Sequence, residues 1–119
     1  MKILIVDDSG PMRAFLRDLM LRLTPNVSTA DDGDTAVQRY ESEMPDVVLM
    51  DVRMPRMDGI TATARIRALD PSASIVIVTE HDKEWYREEA RQAGAVAYFL
   101  KEDLMDLLRY LRDGYMNPK

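Results

Sequence analysis

Four short apolar runs of this chain end in side chains that could do chemistry. They are Asp7 and Asp8 after residues 3–6, Asp51 after 47–50, Thr79 after 75–78 and Lys101 after 96–100. If the runs are parallel strands of one sheet, their carboxyl ends lie along the same edge, which is where open α/β sheets bind ligands. We therefore expect carboxylates, a hydroxyl group and an ammonium group to meet at one site.

The three aspartates follow two runs that can form neighbouring strands, which would bring their carboxylates close together. At about 4 Å and an effective dielectric constant near 20, each pair repels by on the order of 4 kcal/mol, so protons or a divalent cation must offset the charge. An all-oxygen cluster favours Mg²⁺. For Asp7 and Asp8 alone, a helix cap or a turn is an equally good explanation. Asp51 precedes Val52 rather than a helix start, which favours a functional role.

Thr79 and Lys101 have ordinary explanations when each is taken alone, as a helix cap and as a solvated side chain. Together with a cluster of carboxylates and a metal ion, they suit the three oxygens of a phosphoryl group. The metal would hold one oxygen, Lys101 a second and Thr79 a third. The sequence thus predicts a site for phosphoryl chemistry.

Segments with helical spacing separate the apolar runs, so strand and helix alternate five times. This alternation predicts a parallel sheet covered by helices on both faces. In the first helix Ser9 is the predicted cap, Pro11 suits the first turn, and Gly94 is the predicted left-handed end of the fourth helix. The apolar stripe of the first helix is predicted to contain Met12, Phe15, Leu16, Leu19, Met20 and Leu23.

Length and composition limit the classes of function. The 119 residues fit one domain, so we expect a single domain over 1–119 with no output domain in this chain. A net charge of -5 disfavours direct binding to nucleic acid. The absence of cysteine and the presence of one histidine, His81, exclude thiolate and poly-histidine metal sites. The first apolar run is too short for a signal peptide or membrane insertion, so we expect a cytoplasmic location.

Two further motifs accompany the strand-end residues: the loop 54–59, with the sequence Met-Pro-Arg-Met-Asp-Gly, and the stretch from Gly94-Ala95 through Tyr98 to Lys101. In this order and strand context, the whole set resembles the receiver domain of bacterial response regulators, of the chemotaxis-regulator type. The resemblance covers the whole chain. It implies a flavodoxin-like (βα)5 fold, a doubly wound parallel sheet with strand order 2-1-3-4-5.

The resemblance also implies roles for the site residues. Asp51 would be the phospho-acceptor, taking a phosphoryl group from the phosphohistidine of a sensor histidine kinase or a phosphotransfer protein. Mg²⁺ would be bound by Asp8, Asp51 and the backbone carbonyl of Arg53, with Asp7 contributing through water. The ammonium group of Lys101 would contact the phosphoryl oxygens.

The same resemblance implies a switch. After phosphoryl transfer the Thr79 hydroxyl would move toward the new group, and Tyr98 would turn inward. The surface formed by helix 4, strand 5 and helix 5 would then change and bind a downstream protein or a second copy of the chain in a phosphorylation-dependent homodimer. Such a domain is a signalling switch and not an enzyme, because it catalyses only its own phosphorylation and dephosphorylation.

Three residues near the site depart from the family pattern or vary within it. Glu80 stands where a small residue usually follows the switch threonine, and Glu102 stands where proline is usual. Glu80 is expected to slow phosphorylation by small donors, to pair with Arg53 or Arg56, or to cap helix 4. His81 occupies a position that resembles those tuning water access, although a surface histidine with no role is the alternative.

Two other functions are alternatives for this chain. One is a degenerate receiver that binds proteins as a scaffold without phosphorylation, an alternative kept open by Glu80 and Glu102. The other is a phosphatase with an aspartate nucleophile, like the haloacid-dehalogenase hydrolases. Those enzymes need a second acid two positions after the nucleophile, where this chain has Arg53.

Overall fold

A computed structural model of the protein describes residues 1–116. Its centre is a parallel sheet of five strands in the order β2-β1-β3-β4-β5, which confirms the predicted fold class and strand order. The strands are β1 (Lys2–Val6), β2 (Asn26–Ala30), β3 (Val47–Met50), β4 (Ile75–Thr79) and β5 (Ala97–Leu100). Every site residue predicted from a strand end therefore lies at the same edge of this sheet.

Five α-helices connect and follow the strands. They are α1 (Gly10–Met20), α2 (Gly33–Glu43), α3 (Gly59–Leu69), α4 (Glu84–Ala93) and α5 (Leu104–Leu111), and a π-helical segment, Arg112–Met116, continues α5. Ser9, Asp32 and Asp58 cap α1, α2 and α3, each accepting a backbone N–H in the first turn. Gly94 ends α4 with φ 109°, the left-handed conformation that its sequence position predicts.

The helices cover the sheet on both faces, and the alternation of side chains along the strands builds a core on each. Leu4, Val48 and Ile75 belong to the core beneath α2, α3 and α4. Ile3 and Val76 belong to the core beneath α1 and α5. Because both faces are buried, β1, β3 and β4 are apolar throughout, apart from the exposed Lys2 and the terminal Thr79.

The first helix differs from its predicted stripe in two ways. Phe15 is 55% exposed, and Leu23 lies beyond the end of α1. The buried side of α1 is centred on Leu16 and Met20, which places Phe15 outside the stripe that faces the sheet. Among the residues that the structure describes, no helix combines the length and the apolar character needed to cross a membrane.

Candidate functional site

Backbone hydrogen bonds place the site residues at adjacent strand ends. The amide of Asp51 donates to the carbonyl of Val6 over 2.9 Å, so β3 delivers Asp51 beside the end of β1. On the other side of the sheet centre, the amide of Lys101 donates to the carbonyl of Thr79 over 2.8 Å. Because β3 also pairs with β4 in parallel, the carboxyl ends of β1, β3, β4 and β5 lie at one edge of the sheet.

The three aspartates form the expected cluster. Asp7, Asp8 and Asp51 each offer a carboxylate oxygen, and these oxygens lie within 4.8 Å of one another. Asp7 and Asp51 are buried, whereas Asp8 is exposed and opens the cluster to solvent. An all-oxygen donor set with one open side fits a hard divalent cation such as Mg²⁺.

Asp7 is held in place by its neighbours and does not cap α1. Its Oδ1 accepts the amide of Ser9 over 2.9 Å, and its backbone carbonyl accepts a guanidinium N–H of Arg13 over 2.8 Å. Its Oδ2 lies 2.8 Å from Nζ of Lys101. Ser9 and not Asp7 provides the helix cap, while the Asp7 carboxylate forms a turn with Ser9 through Oδ1 and an ion pair with Lys101 through Oδ2.

Asp51 is buried among polar groups. Its Oδ1 accepts the amide of Val52 over 2.8 Å, and its Oδ2 lies 3.4 Å from Nζ of Lys101. Burial, followed by the negative charge of Asp7, raises the pKa of Asp51 above its ordinary value, while Lys101 and Thr79 oppose the rise. Although burial acts in the opposite direction, the two carboxylates raise the pKa of Lys101, which is therefore a cation bridging Asp7 and Asp51.

Thr79 is fully buried at the end of β4, and its hydroxyl oxygen accepts the amide of His81 over 3.3 Å. The alternative that Thr79 or Glu80 caps the next helix is wrong, because α4 begins at Glu84 with Lys83 at its cap position. The loop between β4 and α4 is long enough to leave the Thr79 hydroxyl at the sheet edge. It is thus available to the acidic cluster.

The residues that flank the site make contacts of their own. Glu80 is exposed and forms no ion pair within the described part of the chain, so its expected pairing with Arg53 or Arg56 is wrong. The guanidinium of Arg53 donates to the hydroxyl of Tyr86 over 3.3 Å. His81 packs on the same tyrosine, with ring centroids 5.0 Å apart. Arg53 therefore stands in the loop after Asp51 with its side chain turned toward α4.

Two contacts in the loop after β3 were missed by sequence reasoning. Arg56 has φ 66° and forms an ion pair with Asp32, the buried cap of α2. The backbone amide of Thr35 and the Arg56 guanidinium lower the pKa of Asp32 to about 2. At the end of the same loop, a Cβ atom on Gly59 would collide with the backbone carbonyl of Asp51. Gly59 is part of the 54–59 motif, but only the structure gives this reason for it.

Tyr98 lies on β5 and its side chain faces α4. Its hydroxyl donates to the backbone carbonyl of His81 over 2.6 Å, and the guanidinium of Arg87 covers its ring. We call this the inward orientation of Tyr98. The exposed Trp85 stacks on Tyr86 nearby, with ring centroids 3.9 Å apart.

Comparison with known proteins identifies the class. Residues 3–112 match the family model of the response regulator receiver domain, so the chain belongs to this family of signalling domains. The chemotaxis protein CheY of Bacillus subtilis (strain 168) is 38% identical over 101 residues, which are 84% of this chain and 84% of that protein. CheY of Halobacterium salinarum (strain ATCC 29341 / DSM 671 / R1) is 37% identical over 111 residues, covering 90% and 92%.

The fold is also similar to those of solved structures. The CheX-CheY-BeF3-Mg+2 complex from Borrelia burgdorferi contains a chain that superimposes with a TM-score of 0.88 at 30% identity, over 95% of this chain and 87% of that one. A two-component response regulator of the LuxR family from Aurantimonas sp. SI85-9A1 gives a TM-score of 0.86 at 34% identity, over 94% and 82%. Membership of the receiver family favours signalling over the phosphatase alternative.

Proposed function

We propose that this domain is a phosphorylation-dependent switch in which Asp51 accepts a phosphoryl group. The observation that carries the proposal is the meeting of three carboxylates with the Lys101 ammonium at one sheet edge. Aspartates alone occur at many surfaces, and a paired lysine alone is often structural. A partly buried cation between a carboxylate nucleophile and a second, buried carboxylate is suited to a group that brings further negative charge.

The transfer forms one bond and breaks another. A carboxylate oxygen of Asp51 attacks phosphorus, and the bond from phosphorus to the donor nitrogen of a phosphohistidine breaks, leaving the imidazole with the electron pair. Lys101 would contact the phosphoryl oxygens and balance their charge. The buried hydroxyl of Thr79 would donate to one of them.

Asp8, Asp51 and the backbone carbonyl of Arg53 are the residues that would hold Mg²⁺, with Asp7 contributing through water. The ion would supply positive charge to the phosphoryl oxygens. The acidic cluster supports this assignment, as does the presence of magnesium in the related CheX-CheY-BeF3-Mg+2 complex. Glu80 and His81 lie at the mouth of the site, where we assign them an influence on donor and water access.

The switch links this chemistry to partners. Movement of Thr79 toward the phosphoryl group would alter the loop that carries the carbonyl partner of Tyr98, and so the surface of α4, β5 and α5. The phosphodonor would be a sensor histidine kinase or a phosphotransfer protein in the cytoplasm. The altered surface would bind a downstream protein or a second copy of this chain. In this role the domain acts as a switch whose only chemistry is its own phosphorylation and dephosphorylation.

The test is the intact mass of the chain after exposure to acetyl phosphate, with and without Mg²⁺. We expect one phosphoryl adduct that requires Mg²⁺ and is absent from Asp51→Asn. Asp18→Asn, the same change at an exposed aspartate of α1, should keep the adduct. If no adduct forms under any condition, including with a histidine-kinase donor, the scaffold function replaces the switch.

A further inference from the structure

We propose that Arg87 is a positioning residue that holds Tyr98 in its inward orientation, acting together with Asp82. The central carbon of the Arg87 guanidinium lies 4.5 Å from the centroid of the Tyr98 ring. A terminal nitrogen of the same guanidinium donates to the Asp82 carboxylate over 2.9 Å. One side chain of α4 therefore contacts both β5 and the loop between β4 and α4.

The contacts of Tyr98 and those of Arg87 involve the same loop. The Tyr98 hydroxyl donates to the His81 carbonyl over 2.6 Å, and Asp82 is the next residue in the same loop. Arg87 thus packs on the face of the Tyr98 ring, and its ion pair with Asp82 holds the loop that supplies the carbonyl acceptor. The planar guanidinium suits both tasks, because its face packs on an aromatic ring while its edge donates to a carboxylate.

The Tyr98 ring packs against the core beneath α2, α3 and α4 on one side only. Tyr98 is half-buried on β5, an edge strand of the sheet. A groove of about 190 Å³ runs between α4 and β5 and is lined by Arg87, Ala90, Arg91, Ala97 and Tyr98 among others. Because this groove leaves space beside the ring, the orientation of Tyr98 depends on its hydroxyl contact and on Arg87.

The consequence for signalling rests on the proposed function, whereas the positioning itself does not. The proposed switch turns Tyr98 inward after phosphoryl transfer. Because Arg87 holds the inward ring, it would favour the switched form of the α4 and β5 surface. Removing the Arg87 guanidinium should lower the inward population of Tyr98 without changing the phosphorylation site, because Arg87 contacts none of the three clustered aspartates.

The test is the χ1 population of Tyr98 measured by NMR three-bond couplings, with the contact between its ring protons and the His81 backbone as a second readout. We expect a largely inward ring in the natural chain. Arg87→Met keeps the apolar stem but removes the cation, and should lower the inward-to-outward ratio about two- to fivefold. Asp82→Asn should lower it less, because the cation stays over the ring. Arg91→Met is the control, since Arg91 lies on the same helix and lines the same groove but pairs with Glu88.

An unchanged ratio in Arg87→Met, or a Tyr98 ring already averaged over rotamers in the natural chain, would overturn the proposal. An equal fall in Arg91→Met would overturn it as well, because the effect would then belong to α4 in general. Phosphoryl uptake on Asp51 is measured by intact mass in the same variants. An Arg87-dependent ratio in a chain that takes up no phosphoryl group would refute the proposed switch and leave the positioning role standing.

Discussion

The Nζ atom of Lys101 lies 2.8 Å from Oδ2 of Asp7, nearer than the 3.4 Å that separates it from Oδ2 of Asp51. Lys101 is therefore first the counter-ion of a buried carboxylate. The same cation is within reach of a group on Asp51. Its replacement should affect the chemistry at Asp51 even though its shorter contact is with Asp7.

Lys101→Met should slow phosphorylation of Asp51 by acetyl phosphate about 10- to 100-fold, the equivalent of one lost charge-assisted hydrogen bond. The measurement is the initial rate of adduct formation by intact mass. Lys2→Met removes an exposed lysine at the start of β1, at the opposite edge of the sheet, and should leave the rate unchanged. A natural rate in Lys101→Met would show that the ammonium serves only the Asp7 carboxylate.

Asp8→Asn should weaken Mg²⁺ binding about tenfold or more, because it removes one full charge from an oxygen-ligand cluster. Isothermal titration calorimetry with MgCl₂ and no phosphodonor measures this directly. Asp31→Asn is a matched change at another exposed aspartate that follows a strand. Equal Mg²⁺ affinity in the natural chain and Asp8→Asn would remove Asp8 from the set of ligands.

Gly59→Ala should destabilise the fold by about 2–3 kcal/mol or more, because the new methyl group has no room beside the Asp51 carbonyl. Urea unfolding followed by circular dichroism gives the free energy. Gly114→Ala is the control, since a Cβ atom there meets nothing within 4 Å. If the two variants unfolded at the same urea concentration, the loop after Asp51 would have to be more adaptable than the structure indicates.

Asp32→Asn should lower stability at neutral pH by about 1 kcal/mol, because asparagine keeps the helix cap but loses the charge that Arg56 and the α2 amides stabilise. The pKa of Asp32 is lowered from 3.8 to about 2, so this contribution is complete above pH 3.8 and is lost as pH falls through about 2. Urea unfolding across this range should show the two chains converging in acid. A difference that persists at pH 2, or one shared by Asp18→Asn, would contradict this assignment.

Glu80→Ala should accelerate phosphorylation by acetyl phosphate about two- to fivefold at low salt, since an exposed carboxylate at the site mouth repels an anionic donor. The gain should shrink as ionic strength rises. Glu84→Ala removes a nearby exposed acid of α4 and controls for net charge. A Glu80→Ala variant that is no faster than the natural chain would count against this role.

Much of the architecture was readable because its signals are local. The apolar runs, their polar ends and the caps Ser9 and Gly94 are encoded by residues close together in sequence, and they lie where predicted, except that Val96 precedes β5 and is exposed. Phe15 was misplaced because its exposure depends on how α1 is rotated against the sheet. For Thr79 the sequence allows either a helix cap or a role at the phosphoryl site. Only the structure, in which α4 begins at Glu84, excludes the helix cap.

By itself the sequence determined the alternation of strand and helix and the set of polar residues at one sheet edge, because both follow from short-range pattern and from the geometry of parallel strands. The tertiary structure alone decided which side chains meet. The pairs Lys101–Asp7, Arg56–Asp32 and Arg87–Tyr98 each join separate segments of the chain. Such contacts depend on strand register, helix rotation and loop path together, and no local pattern of residue types specifies all three.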